Sequence, residues 1–335
     1  MNILQIGLGS MGKRRIRNLF YNKISPNDIY GFDPDLKKCK ETEDKYKIKT
    51  YSNFKKAVKE VNPDIYIIST PPNLHSKYFL FAAKMKKHFF VEATTVDKGY
   101  KELAKLLNNK FIGVPSNTWV YFPAIKKLKK IISENKIGEI LSFQYHMGEY
   151  LPDWHPWDDY RKVYFAKKKT GGAREMFVFE LIWISDLLNS DISKISGLVE
   201  KVSDLEMTAD DIYSAVVKFK SGTIGNIAID TLARTPFRTI RFIGSTGVLD
   251  WDFTAKEIKL FQKKNNTWKS IILIKGESEK GYYTTEDMYR EEMSEFLNAI
   301  KGKSDYPYSF KQDHKMLKAL FALEKSSKTG KTISL

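Results

Sequence analysis

The sequence predicts an α/β protein: an N-terminal Rossmann, doubly wound parallel sheet, then a C-terminal α/β domain with a large, mostly antiparallel open sheet. Three observations carry this. Up to about residue 115, unbroken apolar runs alternate with amphipathic stretches, as expected of strands buried on both faces and joined by helical crossovers. A glycine-rich turn, Gly7-Leu-Gly9-Ser-Met-Gly12, follows the first run. Beyond about residue 194, strand candidates succeed one another with short turns such as Ser221-Gly222 and Ser245-Thr246-Gly247, which favours antiparallel pairing.

In order, NILQIG, DIYGF, DIYIIST, HFFVE and KFIGV read as strands, and 11–21, 34–45, 52–61, 73–86 and 96–108 as helices. Pro123 opens a helix over 123–134. The strand EILSFQYHMGEY follows, then a Trp-, Pro- and Asp-rich loop over 151–170 and a helix over 172–188. The later strands are KISGLVEKV, DIYSAVVKFK, GTIGNIAIDTL, FRTIRFIG, GVLDWDF, EIKLFQ and WKSIILI, and helices near 284–301 and 310–328 close the chain. We expect a first domain over 1–118, a second over 119–310, and a helix and tail over 311–335 packing back on the first. There is no low-complexity linker, so the two domains are expected to enclose a cleft.

Composition excludes several classes. Of 335 residues, 42% are hydrophobic and 13% aromatic, which suits packed cores and not disorder. No apolar run reaches the roughly 18 residues of a membrane span, and the N-terminus lacks a signal-peptide pattern. The lone Cys39 forms no internal disulfide, consistent with a cytoplasmic protein. The net charge of +16 comes from lysines interspersed with acids, as on solvated helix faces, so no nucleic-acid partner is expected. No metal site is expected either.

The glycine turn is G-x-G-x-x-G after a strand and before a helix, a dinucleotide site. Gly7 permits the turn, Gly9 admits a pyrophosphate, and Gly12 lets helix and strand approach. Ser10 and Met11 lie at the helix N-terminus, whose free N–H groups attract phosphate. Asp33 ends the second strand 21 residues after Gly12, placed to accept from ribose hydroxyls and to repel a 2′-phosphate. NAD is therefore expected over NADP, although Lys37 and Lys38 keep NADP open. Asp33 also reads as a helix N-cap before Pro34. The turn Ser69-Thr70-Pro71-Pro72-Asn73 and His75 follows DIYIIST; Thr70, Pro71, Asn73 and His75 read as lining the nicotinamide side, or Asn73 as a helix cap.

IGLGSMG at 6–12, STPPNLH at 69–75, VEATT at 91–95 and TGGAREM at 170–176 together resemble the glucose-fructose oxidoreductase / inositol dehydrogenase / MocA family over nearly the whole chain. The resemblance implies hydride transfer between NAD(P) and a sugar, cyclitol or sugar nucleotide. It also implies homodimers or homotetramers built through the C-terminal sheet, and Glu92 bordering the nicotinamide. GEYLPDWHPWDDYR at 148–161 resembles a subgroup linked to sugar-nucleotide metabolism. Trp154 and Trp157 there can stack on a sugar, and Tyr160 and Arg161 can bind its polar groups; the same stretch also reads as an ordered surface loop. Asn117 and Trp119 fall where the family binds nicotinamide and substrate, and Trp119 equally suits simple packing.

The chain departs from the family at three positions. The lysine that would take the hydroxyl proton is Ala93. Counted without gaps, the family Asp falls on Met176 and the His on Phe179 or Glu180. Alcohol oxidation still needs a base. Of the nearby carriers, His155 and then Glu180 are expected to act; Glu180 lies in the apolar run FVFELIW, where a carboxylate has either a partner or a raised pKa. Glu175, about 140° around the helix from Glu180, is expected to bind substrate near the helix N-terminus. The reading is an NAD(P)-dependent oxidoreductase with altered proton transfer; the alternative is a non-catalytic dinucleotide-binding sensor or partner subunit.

Overall fold

The computed structural model describes residues 1–335 other than 109, 155–157, 275 and 279–283. In chain order the first part runs β1 (Ile3–Ile6), α1 (Ser10–Tyr21), β2 (Ile29–Phe32), α2 (Leu36–Tyr46), β3 (Lys49–Tyr51), α3 (Phe54–Val61), β4 (Ile65–Ile68), α4 (His75–Lys84), β5 (His88–Val91), α5 (Tyr100–Leu106) and β6 (Gly113–Pro115). Then come α6 (Pro123–Ser133), β7 (Ile140–Gly148), α7 (Ala173–Leu188), β8 (Ile192–Glu200), β9 (Ile212–Phe219), β10 (Ile224–Asp230), β11 (Phe237–Gly244) and β12 (Gly247–Asp252). The chain ends with β13 (Glu257–Gln262), β14 (Thr267–Ile272), α8 (Glu286–Ile300), α9 (Phe310–Thr329) and β15 (Ile333–Ser334).

Two compact units result: Met1–Thr118 with Glu286–His314, and Trp119–Thr285 with Lys315–Leu335. Among the described residues of the first, six parallel strands lie in the order β3-β2-β1-β4-β5-β6. Order reverses beside β1, creating the crevice at the strand carboxyl ends where such sheets bind ligands. β1 and β4 are buried at every residue, which is why they read as solid apolar runs. β3 escapes the sequence pattern because it is three residues long and starts on an exposed lysine.

Among the described residues of the second unit, nine strands lie in the order β14-β13-β12-β11-β7-β10-β9-β8-β15. All neighbours are antiparallel except β7 and β10. Burial alternates along β9 and β11, so one face is covered and the other open. α7 packs on β9 and β10, burying Phe177, Leu181, Trp183 and Ile184.

The C-terminal segments depart from the sequence expectation. Residues 286–310 were expected in the second domain; α8 instead belongs to the first unit, where Met293, Phe296 and Leu297 join the core formed by Ile3, Ile65 and Phe90. Residues 315–335 were expected on the first domain; they group with the second, where Ile333 pairs with Ile195 at the sheet edge. The cause is one the local sequence does not carry: acids on α8 meet arginines on α1 that are more than 270 positions away.

Candidate active site

In the first unit the glycine turn is shaped by contact. Gly7 has a φ of +90°, and a side chain there would meet the Ser69 carbonyl oxygen at 2.3 Å. A Cβ on Gly12 would lie 1.9 Å from the Gly7 carbonyl oxygen. Gly9 faces open space, with nothing within 4 Å of a built Cβ, above the first turn of the 12-residue α1. The Gln5 amide donates to the Gly7 carbonyl (3.1 Å) and steadies the turn. The Met11 sulfur faces Arg14.

Asp33 is buried and accepts from the Leu8 N–H (2.9 Å) and the Asp35 N–H (3.0 Å). The N-cap of α2 is Asp35, which takes the Lys37 N–H, so Asp33 is not the cap. One hydrogen bond on each oxygen leaves a lone pair on each for ribose hydroxyls.

At the strand ends, His75 Nε2 donates to the Thr70 carbonyl at 2.7 Å. Burial lowers the imidazole pKa to about 4, so the ring is neutral and supports the Thr70–Pro71 turn from beneath. Asn73 is exposed and caps no helix, since α4 starts at His75 without a side-chain cap. Two buried polar atoms at these ends, Thr70 Oγ1 and Asn117 Oδ1, have no hydrogen-bond partner. Unpaired buried groups are costly, and both suit an amide-bearing ring. The open Gly9, the helix N-terminus, Asp33 and these two atoms together fit NAD.

Glu92 is held from behind. Arg15, fully buried on α1, grips both of its oxygens at 2.7 and 2.8 Å, and Ser69 Oγ donates to one at 3.0 Å. Arg15 also meets Glu292 of α8 at 2.8 Å. Burial alone would lower the guanidinium pKa; the two carboxylates outweigh it and hold Arg15 firmly charged. Ala93 is half-buried and brings no functional group.

In the second unit, Glu180 is 0% exposed and fully engaged. It accepts from Tyr145 OH (2.5 Å), Trp183 Nε1 (2.5 Å) and Arg238 Nη2 (2.9 Å). Arg238 Nε donates to the Tyr145 hydroxyl (2.8 Å), and its guanidinium lies 4.1 Å over the Trp119 ring. Glu180, expected from the sequence to carry the proton, is held by its ion pair with Arg238 and two further hydrogen bonds. Trp119 is the lid of that arginine.

Glu175 behaves otherwise. It is buried, its hydrogen bond is from Tyr164 OH at 3.0 Å, and burial pushes its pKa up to about 8. The helix N-terminus does not keep it ionised. The folded pKa lies above the unfolded one, so this group's stabilising contribution is complete below about pH 4.5 and is lost as pH rises through 8. Glu175→Gln should therefore gain stability relative to the wild type by roughly 2–4 kcal/mol between pH 5 and pH 9, at about 1.4 kcal/mol per pKa unit. Urea unfolding at the two pH values measures this; equal differences at both would refute it.

In the aromatic loop, Trp154 has an unpaired buried Nε1 and packs on Phe165. The Tyr160 hydroxyl accepts from the Glu206 N–H. Arg161, 51% exposed, spends its fork on Asp159 and Glu206. His155 and Trp157 lie outside the described residues. Sequence reasoning missed Arg15, Glu292 and Arg238, because a charged residue on a helix or strand reads as solvent-facing until its distant partner is known.

Comparison with known proteins bears on the family and the fold. Residues 1–110 match the family described as "Oxidoreductase family, NAD-binding Rossmann fold", and 125–250 the "GFO/IDH/MocA C-terminal domain". The chain is 25% identical to myo-inositol 2-dehydrogenase of Thermotoga maritima, over 100% of this chain and 98% of that protein. Two solved structures share its fold. An oxidoreductase from Agrobacterium radiobacter, in complex with NAD+, L-tartaric acid and magnesium, has a TM-score of 0.86 at 12% identity, covering 100% of this chain and 98% of that one. The WlbA dehydrogenase from Bordetella pertussis, in complex with NADH and UDP-GlcNAcA, has a TM-score of 0.80 at 14% identity, with the same coverage.

Proposed function

Because the chain belongs to the GFO/IDH/MocA oxidoreductase family and is an NAD-dependent oxidoreductase, we propose that it moves a hydride between NAD and a sugar-like or sugar-nucleotide substrate. What supports this reading is the set of cofactor features in the first unit, down to the unpaired Thr70 and Asn117 groups, together with Ala93 at the position where the resemblance implies a lysine. NAD supplies the hydride chemistry; the chain's residues bind, orient and handle the proton. Asp33 selects the unphosphorylated ribose. Burial raises two described carboxyl groups of the second unit, Glu149 and Glu175. Glu175, raised to about 8 and accepting from Tyr164 OH, is our candidate proton carrier, since an effective acid or base titrates near working pH. The indole faces of Trp119 and Trp154 offer stacking surfaces for a sugar ring.

Self-association is part of the proposal. Ile224, Ile243 and Trp268 are exposed on the second unit's sheet, and the register carries a row from Ile224 through Ser142, Ile243, Val248 and Phe261 to Trp268. An apolar row across an open sheet face suits burial against a second copy.

A non-catalytic sensor is the second reading, favoured by Ala93 and by the locked Glu180. Absorbance at 340 nm separates the two. Purified protein with NAD+ or NADH should turn over at least one member of a panel of cyclitols, anhydrosugars, uronates and UDP-sugars or their keto forms. Glu175→Gln should lower that rate by about 100-fold or more. NADH binding without turnover of any panel member, in either direction, would favour the sensor.

A further inference from the structure

Glu92, Arg15 and Glu292 form one connected set in the first unit, made of two carboxylates and one guanidinium. Arg15 and Glu292 have fully buried side chains, and Glu92 is 14% exposed. Glu292 is fixed by donors alone: Ser116 Oγ (2.9 Å), the Asn117 N–H (2.5 Å), Thr118 Oγ1 (2.6 Å) and Tyr306 OH (3.2 Å). The donors are neutral, so the set keeps a formal charge of −1. Its neighbours do not cancel it. Among the described residues, Arg14 is paired with Glu286 at 2.9 Å, His75 is neutral, and the residue after Glu92 is the uncharged Ala93.

Glu92 ends β5 and shares a hydrogen bond with Ser69 at the end of β4. Asp33 ends β2, on the other side of β1. In a sheet of this order the adenosine half goes with Asp33 and the nicotinamide half with the β4–β5 side. The nicotinamide ring is a cation when oxidised and neutral when reduced. A fixed negative charge in a preorganised, largely buried setting acts on that difference at little reorganisation cost.

We propose that the Glu92–Arg15–Glu292 set, uncompensated at position 93, makes this site favour NAD+ over NADH. The bound equilibrium then leans toward substrate reduction: hydride passes from NADH to the carbonyl carbon, a proton goes to the oxygen, and NAD+ stays behind. The inference rests on NAD binding in the first unit, and not on the identity of the substrate.

Calorimetric titration of the full chain with NAD+ and with NADH tests it. In Ala93→Lys the ratio Kd(NAD+)/Kd(NADH) should rise by about fivefold or more over the wild type, and in Glu92→Gln in the same sense. Ala93→Met, similar in length and uncharged, should leave the ratio within about twofold. If Lys leaves the ratio unchanged, or Met shifts it as far as Lys, charge is not the cause and the proposal falls. Should Glu92→Gln fail to fold, the pair at position 93, a half-buried site, decides alone. If the wild type bound neither form, the NAD reading itself would fall; binding of both with an unmoved ratio overturns only this inference.

Discussion

Gly12→Ala should abolish NADH binding and destabilise the first unit. The added Cβ would lie 1.9 Å from the Gly7 carbonyl oxygen, 2.8 Å from its carbon and 3.2 Å from Gln5 Nε2. Two of those atoms are backbone, so α1 must move away from β1 to make room. Overpacking of this kind costs about 3 kcal/mol or more. Because the same movement breaks the phosphate cradle, NADH affinity should fall by more than about 100-fold. Gly9→Ala is the companion: nothing stands within 4 Å of its Cβ, so the fold should hold while the methyl intrudes on the pyrophosphate space. Thermal unfolding and NADH fluorescence on both variants separate the effects. Wild-type NADH affinity in Gly12→Ala would show that the cofactor binds elsewhere.

The second large effect is expected at Arg238→Met. Glu180 would keep its bonds from Tyr145 and Trp183 but lose its counter-charge while 0% exposed. Removing one partner of a buried pair costs about 3–5 kcal/mol, on the order of 10 °C in melting temperature for a unit of this size. The double variant Arg238→Met/Glu180→Gln should recover part of the loss, because no charge is then left uncompensated. Glu180→Gln alone should also lower the melting temperature, because it leaves Arg238 buried without its counter-charge.

The first sheet was legible because burial on both faces writes itself as apolar runs, and the glycine turn because φ and close approach demand glycine at Gly7 and Gly12. β3 was not, since three residues beginning on a lysine carry no period. The expected cofactor residues carry the same signal as the fold, because one glycine turn makes both the strand–helix junction and the motif. The environments of the two candidate acids on α7 carry no such signal. Glu175 and Glu180 lie five positions apart on one helix, and of the two, sequence reasoning favours Glu180 as the proton carrier because of its apolar neighbours. Arg238, 58 positions beyond Glu180, decides which of them is neutralised by a partner and which by a proton. Of the basic run Lys13, Arg14, Arg15 and Arg17, Arg14 and Arg15 point inward to Glu286 and Glu292, which spacing along α1 alone does not reveal.

The α1–α8 ion pairs also bear on how the protein is made. Arg15 and Glu292 are separated by almost the whole chain, and ribosomes add roughly 5–20 residues per second. For on the order of ten seconds or more after Thr118 is synthesised, the nascent dinucleotide domain holds a buried arginine site lacking one of its two acids and a core lacking Phe296 and Leu297. Its completion waits on the last tenth or so of translation. An excised module comprising residues 1–118 would inherit the same gap permanently, and a portable version of this NAD-binding unit needs 286–314 grafted back.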